Sequence, residues 1–108
     1  MKVNILGSEW EYLHIAADED DRPMSDVSGY CDFTVRRIVT YKPPADAMVR
    51  DTDEAVRETL RHEVIHAYLY ESGLGEEVHA VRGHDEQMID WFAKQYPKMK
   101  KTFEELGV

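Results

Sequence analysis

The chain has 108 residues, enough for one modest core and not two, so residues 1–108 are read as a single domain. Its 22 acidic and 13 basic side chains give a formal charge of −9, which opposes a phosphate backbone and argues against a nucleic-acid partner. No stretch approaches a membrane span, the N-terminus lacks the apolar run of a signal peptide, and Cys31 is the single cysteine. The expectation is a cytoplasmic protein without membrane contact, internal disulfide or thiolate-rich zinc site.

In chain order, Val3 to Leu6 and Trp10 to Ala16 read as the strands of a hairpin, with Gly7-Ser8 as a two-residue turn. The run DEDDRPMSDVSG, from Asp18 to Gly29, is polar and aperiodic and reads as a solvated loop. Its acidic cluster does not make a calcium loop, because Arg22 stands at the fifth ligand position and the glycine of the sharp turn is missing. From Cys31 to Tyr41 the residues alternate, with Phe33, Val35, Val39 and Tyr41 on one face, which predicts a half-buried third strand ended by Pro43-Pro44.

The second half changes character. Asp51-Thr52-Asp53-Glu54 has the side chains of a capping box with Asp51 as N-cap, and helix formers continue to Gly73, which suits a left-handed C-cap. After the loop LGEEVHAVRG a second helix is expected near Asp85, turning Met88, Trp91, Phe92 and Tyr96 inward, with Pro97 restarting a short terminal helix to Leu106. Strands first and helices after give an α+β domain. Trp10, Trp91, Phe92 and Cys31 read as core, His14 as a surface or satisfied histidine, and His79 as a histidine of the loop, where sites gather.

The chemistry concentrates in His62-Glu63-Val64-Ile65-His66. Helical residues four apart differ by about 40° around the axis and about 6 Å along it, so both imidazoles can converge on one ion. Zinc lowers the pKa of a bound water toward about 7, and Glu63, beside the ligands, is placed to take its proton as general base. A hydrolytic zinc site has three protein ligands and an open position, and Glu86 supplies the third. Asp90, four residues on and so on the same helical face, is placed to hold the far nitrogen of a ligand histidine. His84 competes with Glu86 on chemistry alone, but it lies six residues from Asp90 and about 120° away around a helix.

The two motifs together resemble the gluzincins, the HExxH…ExxxD metallopeptidases typified by thermolysin, with HEVIH and EQMID as the matching segments and twenty positions from His66 to Glu86. The resemblance implies His62, His66 and Glu86 as zinc ligands, Glu63 as general base and Asp90 as partner of His62. GYCDFTVRRIVTY, TLRHEVIHAYLYESGL and MIDWFAKQYPK are also similar to small phage and mobile-element HExxH proteins in the style of the ImmA/IrrE metallopeptidases. These imply a zincin-like fold, in which a small antiparallel sheet packs on the HExxH helix and an extended peptide adds to a sheet edge. Two departures stand out: only a short segment follows Asp90, so the C-terminal subdomain of larger gluzincins is missing, and Asp85 replaces the usual asparagine before the ligand. A donor to the oxyanion would have to come from Tyr68, Tyr70, His79, His84 or a strand tyrosine. The expected activity is zinc-dependent hydrolysis of a peptide or protein substrate. The alternative is a zinc-stabilised, catalytically weak or inactive protein-binding module of phage-encoded type, and Glu63 argues against it because a structural site needs no base.

Overall fold

The computed structural model describes residues 1–74 and 85–108. It is an α+β arrangement of a four-stranded sheet and two long helices. The strands are β1 (Lys2–Ile5), β2 (Ser8–Ile15), β3 (Gly29–Asp32) and β4 (Arg37–Tyr41); the helices are α1 (Thr52–Glu71) and α2 (Glu86–Leu106). The spatial order is β1-β2-β4-β3, which leaves β1 and β3 as edges. β1–β2 and β3–β4 are antiparallel, whereas β2 and β4 run parallel, so the sheet is mixed and not the antiparallel one expected.

The first hairpin turns one residue earlier than expected. Ile5 pairs with Ser8, and Leu6 and Gly7 both take positive φ, 50° and 92°, as the central residues of a tight turn whose twist suits flanking strands. Asn4 Oδ1 accepts from the Gly7 amide at 3.0 Å and fixes that corner.

The single strand expected over Cys31–Tyr41 is instead a second hairpin. Asp32 Oδ1 accepts from the Thr34 amide at 3.0 Å, an Asx turn that takes the chain out of the ladder, and Arg36 at φ 51° brings it back. Phe33 and Val35 therefore sit in the turn, exposed, while Ile38, Val39, Thr40 and Tyr41 are buried.

One sheet face packs on α1. Ile5, Trp10, Ile38 and Ala67 form the buried cluster, with Val3, Tyr12, Cys31, Leu60 and Val64 against it. Asp20 serves the segment that follows β2: it is buried, accepts from the hydroxyls of Tyr30 at 2.9 Å and Tyr41 at 2.6 Å, and accepts the Arg22 amide at 3.1 Å. The expected acidic loop thus carries one carboxylate that is a structural clasp, preceded by a single 3-10 turn at Ala17–Glu19.

Both helix starts follow their capping residues. Asp51 Oδ1 accepts from the Glu54 amide at 3.0 Å, and Asp85 Oδ1 from the Gln87 amide at 2.9 Å. Only half of the expected capping box forms at α1, because the Glu54 carboxylate turns to Arg57 and Arg61. At the other end Gly73, φ 89°, completes a Schellman motif, in which the Leu74 amide donates to the Leu69 carbonyl and the Gly73 amide to the Tyr70 carbonyl.

α2 departs from expectation twice. It runs unbroken through Pro97, whose missing amide leaves the Ala93 carbonyl without its helical donor; Arg61 Nε donates to that carbonyl instead, at 2.6 Å. Its buried residues are Ile89 and Ala93, whereas Met88, Trp91, Phe92 and Tyr96 are exposed. No described helix is long and apolar enough to cross a membrane.

Candidate metal centre

α1 and α2 pack side by side, and their facing residues include His62, His66, Glu86 and Asp90. The four-residue spacing acts as expected: the Nε2 atoms of His62 and His66 lie 3.1 Å apart and aim at the same point. The Glu86 carboxylate straddles both, with Oε2 3.3 Å from His62 Nε2 and Oε1 2.9 Å from His66 Nε2. On the far side of the first ring, Asp90 Oδ1 is 2.6 Å from His62 Nδ1. Donor atoms of His62, Glu63 and His66 all lie within 4.8 Å of one another, a grouping able to hold a metal ion.

The hydrogen-bond roles here are constrained. A short bond to the Asp90 carboxylate makes His62 Nδ1 the donor, so in the neutral ring Nε2 carries a lone pair. That lone pair faces a carboxylate oxygen and a second imidazole nitrogen, a grouping that either a proton on His66 Nε2 or a cation between the donor atoms can satisfy. Two imidazole nitrogens and a carboxylate suit a borderline ion such as zinc.

Glu63 is only 8% exposed, with its carboxylate within 4.8 Å of the donor nitrogens of His62 and His66. Burial is the main cause that pushes its carboxyl up to about 7; His62 opposes the rise and Glu86 adds to it. Beside it Cys31 is half-buried on β3, and burial, reinforced by the Glu63 charge, pushes its thiol up to about 12. A thiol held so firmly protonated behaves as the small core side chain expected.

Other expected participants lie elsewhere. Tyr68 lines a groove between α1 and α2 on the side away from the metal centre, Tyr30 and Tyr41 bind Asp20, and Tyr12 bonds Thr40. His14 is exposed and its Nδ1 lies 2.9 Å from Thr40 Oγ1, a satisfied histidine. Tyr70 lies close to His66, its ring 6.4 Å from that of His66 and stacked on Phe33 at 4.6 Å. His79, His84 and the loop around them lie outside the described residues.

Sequence reasoning passed over the wall of the centre. A cleft of about 260 Å³ opens beside His62, Glu63 and Asp90, walled by Val27, Ser28, Gly29 and Thr59. Gly29 is what allows β3 to approach the helix: a Cβ there would meet the Val39 carbonyl oxygen at 2.5 Å and Thr59 Cγ2 at 2.9 Å. The signal available in sequence was Ser28-Gly29 at a strand start, since an isolated glycine marks close backbone approach.

No protein-family model matches the chain, and no curated protein or solved structure shows significant similarity to it.

Proposed function

We propose that the chain is a small zinc-dependent peptidase of gluzincin type that cleaves an extended stretch of peptide or protein. The observation that carries the reading is the convergence of His62, His66 and Glu86 on one point, with Asp90 holding the outer nitrogen of His62 and a buried Glu63 alongside. Zinc held by His62 Nε2, His66 Nε2 and the Glu86 carboxylate would supply a Lewis acid and bring the pKa of a water at its open position toward about 7.

The chain's own residues account for the rest. Glu63 takes the proton of the attacking water and returns it to the nitrogen of the departing amine; burial raises the proton affinity of its carboxylate into the range where it can do both near neutral pH. Asp90 keeps the Nε2 lone pair of His62 directed at the metal by accepting from Nδ1. β3 is the edge strand beside the centre, and its outer backbone groups offer a ladder on which an extended peptide can lie.

The test is elemental analysis of the purified protein with a peptide-library cleavage assay on wild type and Glu63→Gln. Wild type should carry one zinc per chain and cleave, whereas Glu63→Gln should keep its zinc and lose hydrolysis, because the amide preserves shape and cannot accept the proton. Equal activity of the two proteins would remove Glu63 as base. Zinc retained without cleavage by wild type would replace the peptidase with a metal-stabilised binding module.

A further inference from the structure

α2 keeps little of its apolar surface inside the chain. Of its 21 residues only Ile89 and Ala93 are buried, whereas Met88, Trp91, Phe92, Tyr96 and Phe103 are each 40% or more exposed. Met88, Phe92, Tyr96, Met99 and Phe103 recur every three or four positions and form one stripe about 22 Å long. Two hollows follow that stripe and meet at Phe92. One is the groove of about 770 Å³ against Leu60, Val64, Ile65 and Tyr68 of α1; the other, of about 460 Å³, runs along Asp85, Met88 and Trp91. None of the residues lining either hollow belongs to the group of metal donors, so this face is separate from the centre. At about half exposure, the rings of Tyr68, Trp91, Phe92, Tyr96 and Phe103 leave roughly 500 Å² of apolar surface open. That is near the upper end for the largest patch of a monomer, and with Met88 and Leu106 it approaches the ~800 Å² per partner of a standard interface.

We propose that this face is the contact surface of a homodimer, in which a second copy lays its own α1–α2 pair antiparallel across it and the four helices form a bundle. The charges select both the occupant and its direction. Asp85, Glu86 and Asp90 stand at the start of α2, and its four lysines, Lys94, Lys98, Lys100 and Lys101, follow them. At the lysine end most acids are matched within the chain: Glu54 holds Arg57 at 2.9 Å and Arg61 at 2.8 Å, and Glu58 and Glu104 face Lys94 and Lys100 at 3.8 Å. Arg57 and Arg61, the two charged residues lining the groove, thus share one carboxylate, and Lys98 and Lys101 have no carboxylate partner among the described residues. A parallel copy would set acid beside acid at one end and lysine beside lysine at the other. A copy turned end for end sets the acidic start of each α2 beside the arginine and lysine end of its partner. Shape agrees with charge. With the two-fold axis near Gln95 and Tyr96, Met88 of each copy lies opposite Phe103 of the other, and Phe92 opposite Met99, so the stripe is its own complement. Trp91, its ring edge-on to Phe92 at 5.2 Å, then reaches the partner's groove beside Met99 and Phe103, as an anchor of the aromatic kind that dominates such contacts.

The test is sedimentation equilibrium of the full chain from about 1 to 100 μM, a range that covers micromolar association. The mass should rise from the 12.6 kDa of one chain to twice that value. Trp91→Glu and Tyr96→Glu, each at an exposed position, should raise the dissociation constant about 30-fold or more. Val35→Glu, exposed in the turn between β3 and β4, should leave it unchanged. Direction is read by oxidative crosslinking: Met88→Cys mixed with Phe103→Cys should give a mixed disulfide dimer, and Met88→Cys alone should not. The mass of one chain at every concentration overturns the proposal and leaves the face to a partner of another sequence. A dimer that both glutamate variants leave intact also overturns it, because the contact then lies elsewhere. Crosslinking of Met88→Cys to itself overturns the antiparallel arrangement.

Discussion

Asp90→Ala tests the centre at its most specific contact. Asp90 lines the cleft from the far side of the His62 ring; its carboxylate holds His62 through one bond, 2.6 Å from Oδ1 to Nδ1. A hydrogen bond to a charged group contributes about 1.5 to 3 kcal/mol net. The Asp90 side chain is 57% exposed, so water replaces part of what is lost and the lower end of that range applies, about 1.5 to 2 kcal/mol. Zinc affinity should therefore fall by a factor of about 10 to 30, within the span usual for partners of a ligand imidazole. Glu86→Ala removes a donor outright and should cost more than about 100-fold.

Competition for zinc against a chromophoric chelator at neutral pH measures both. A second readout comes from the metal-free protein, where nitrogen NMR of the His62 ring should show the proton on Nδ1 in wild type and on Nε2 once Asp90 is alanine. Asp90→Asn should fall between the two, since its amide oxygen still accepts from Nδ1 without the charge. Unchanged zinc affinity in Asp90→Ala would refute the argument that this carboxylate orients a ligand. So would a loss larger than that of Glu86→Ala, because the partner of a ligand would then outweigh the ligand.

Three further outcomes concern the frame that holds the centre. Glu71 accepts from Trp10 Nε1 at 2.8 Å, Ser8 Oγ at 3.1 Å and Arg36 Nε at 2.6 Å, so Glu71→Ala leaves a buried indole N–H unpaired; urea unfolding should show a lower midpoint, with Glu71→Gln losing less. Gly29→Ala should cost about 1 to 3 kcal/mol in the same assay, because the new methyl drives into the Val39 carbonyl and Thr59. Asp20 is held below the usual carboxylate range, chiefly by the Tyr41 hydroxyl and also by the Arg22 amide and Tyr30. A depressed folded pKa stabilises fully above the unfolded value of about 4 and is lost as pH falls through the folded value, so unfolding free energy measured from pH 6 down to 2 should drop less steeply in Asp20→Asn.

What was legible in sequence was local. The N-cap Asp51, the helix start near Asp85, the stop at Gly73 and the four-residue spacing of His62 and His66 each act within one or two turns of chain, and each stands where the pattern puts it. Pairing was less legible. Phe33-Thr34-Val35-Arg36 continues the apolar and polar alternation of its flanks, so the pattern reads straight through a turn that Asp32 makes with its side chain and no glycine announces. The parallel partnership of β2 and β4 depends on where a long connection crosses, and alternation within a strand carries no information about that.

The rotation of α2 was legible in principle. Choosing Glu86 and Asp90 to face α1 also fixes every other residue of a straight helix, because positions advance by about 100° each. Glu86, Ile89, Asp90 and Ala93 then fall in one sector, and Met88, Phe92 and Tyr96 in another centred about 110° away. An inward-facing Phe92 and a metal-facing Glu86 are therefore incompatible expectations, and side-chain size favoured the first while the chemistry required the second. In the structure Glu86 and Asp90 face His62 and His66, Ile89 and Ala93 are buried, and Phe92 and Tyr96 line an open groove of about 770 Å³ beside α1. Arg61 belongs to the same arrangement. Its bond to the Ala93 carbonyl at 2.6 Å needs α2 at this rotation and uses the acceptor that Pro97 releases, so the proline that reads as a break in the sequence supplies a contact between the two helices that carry the centre.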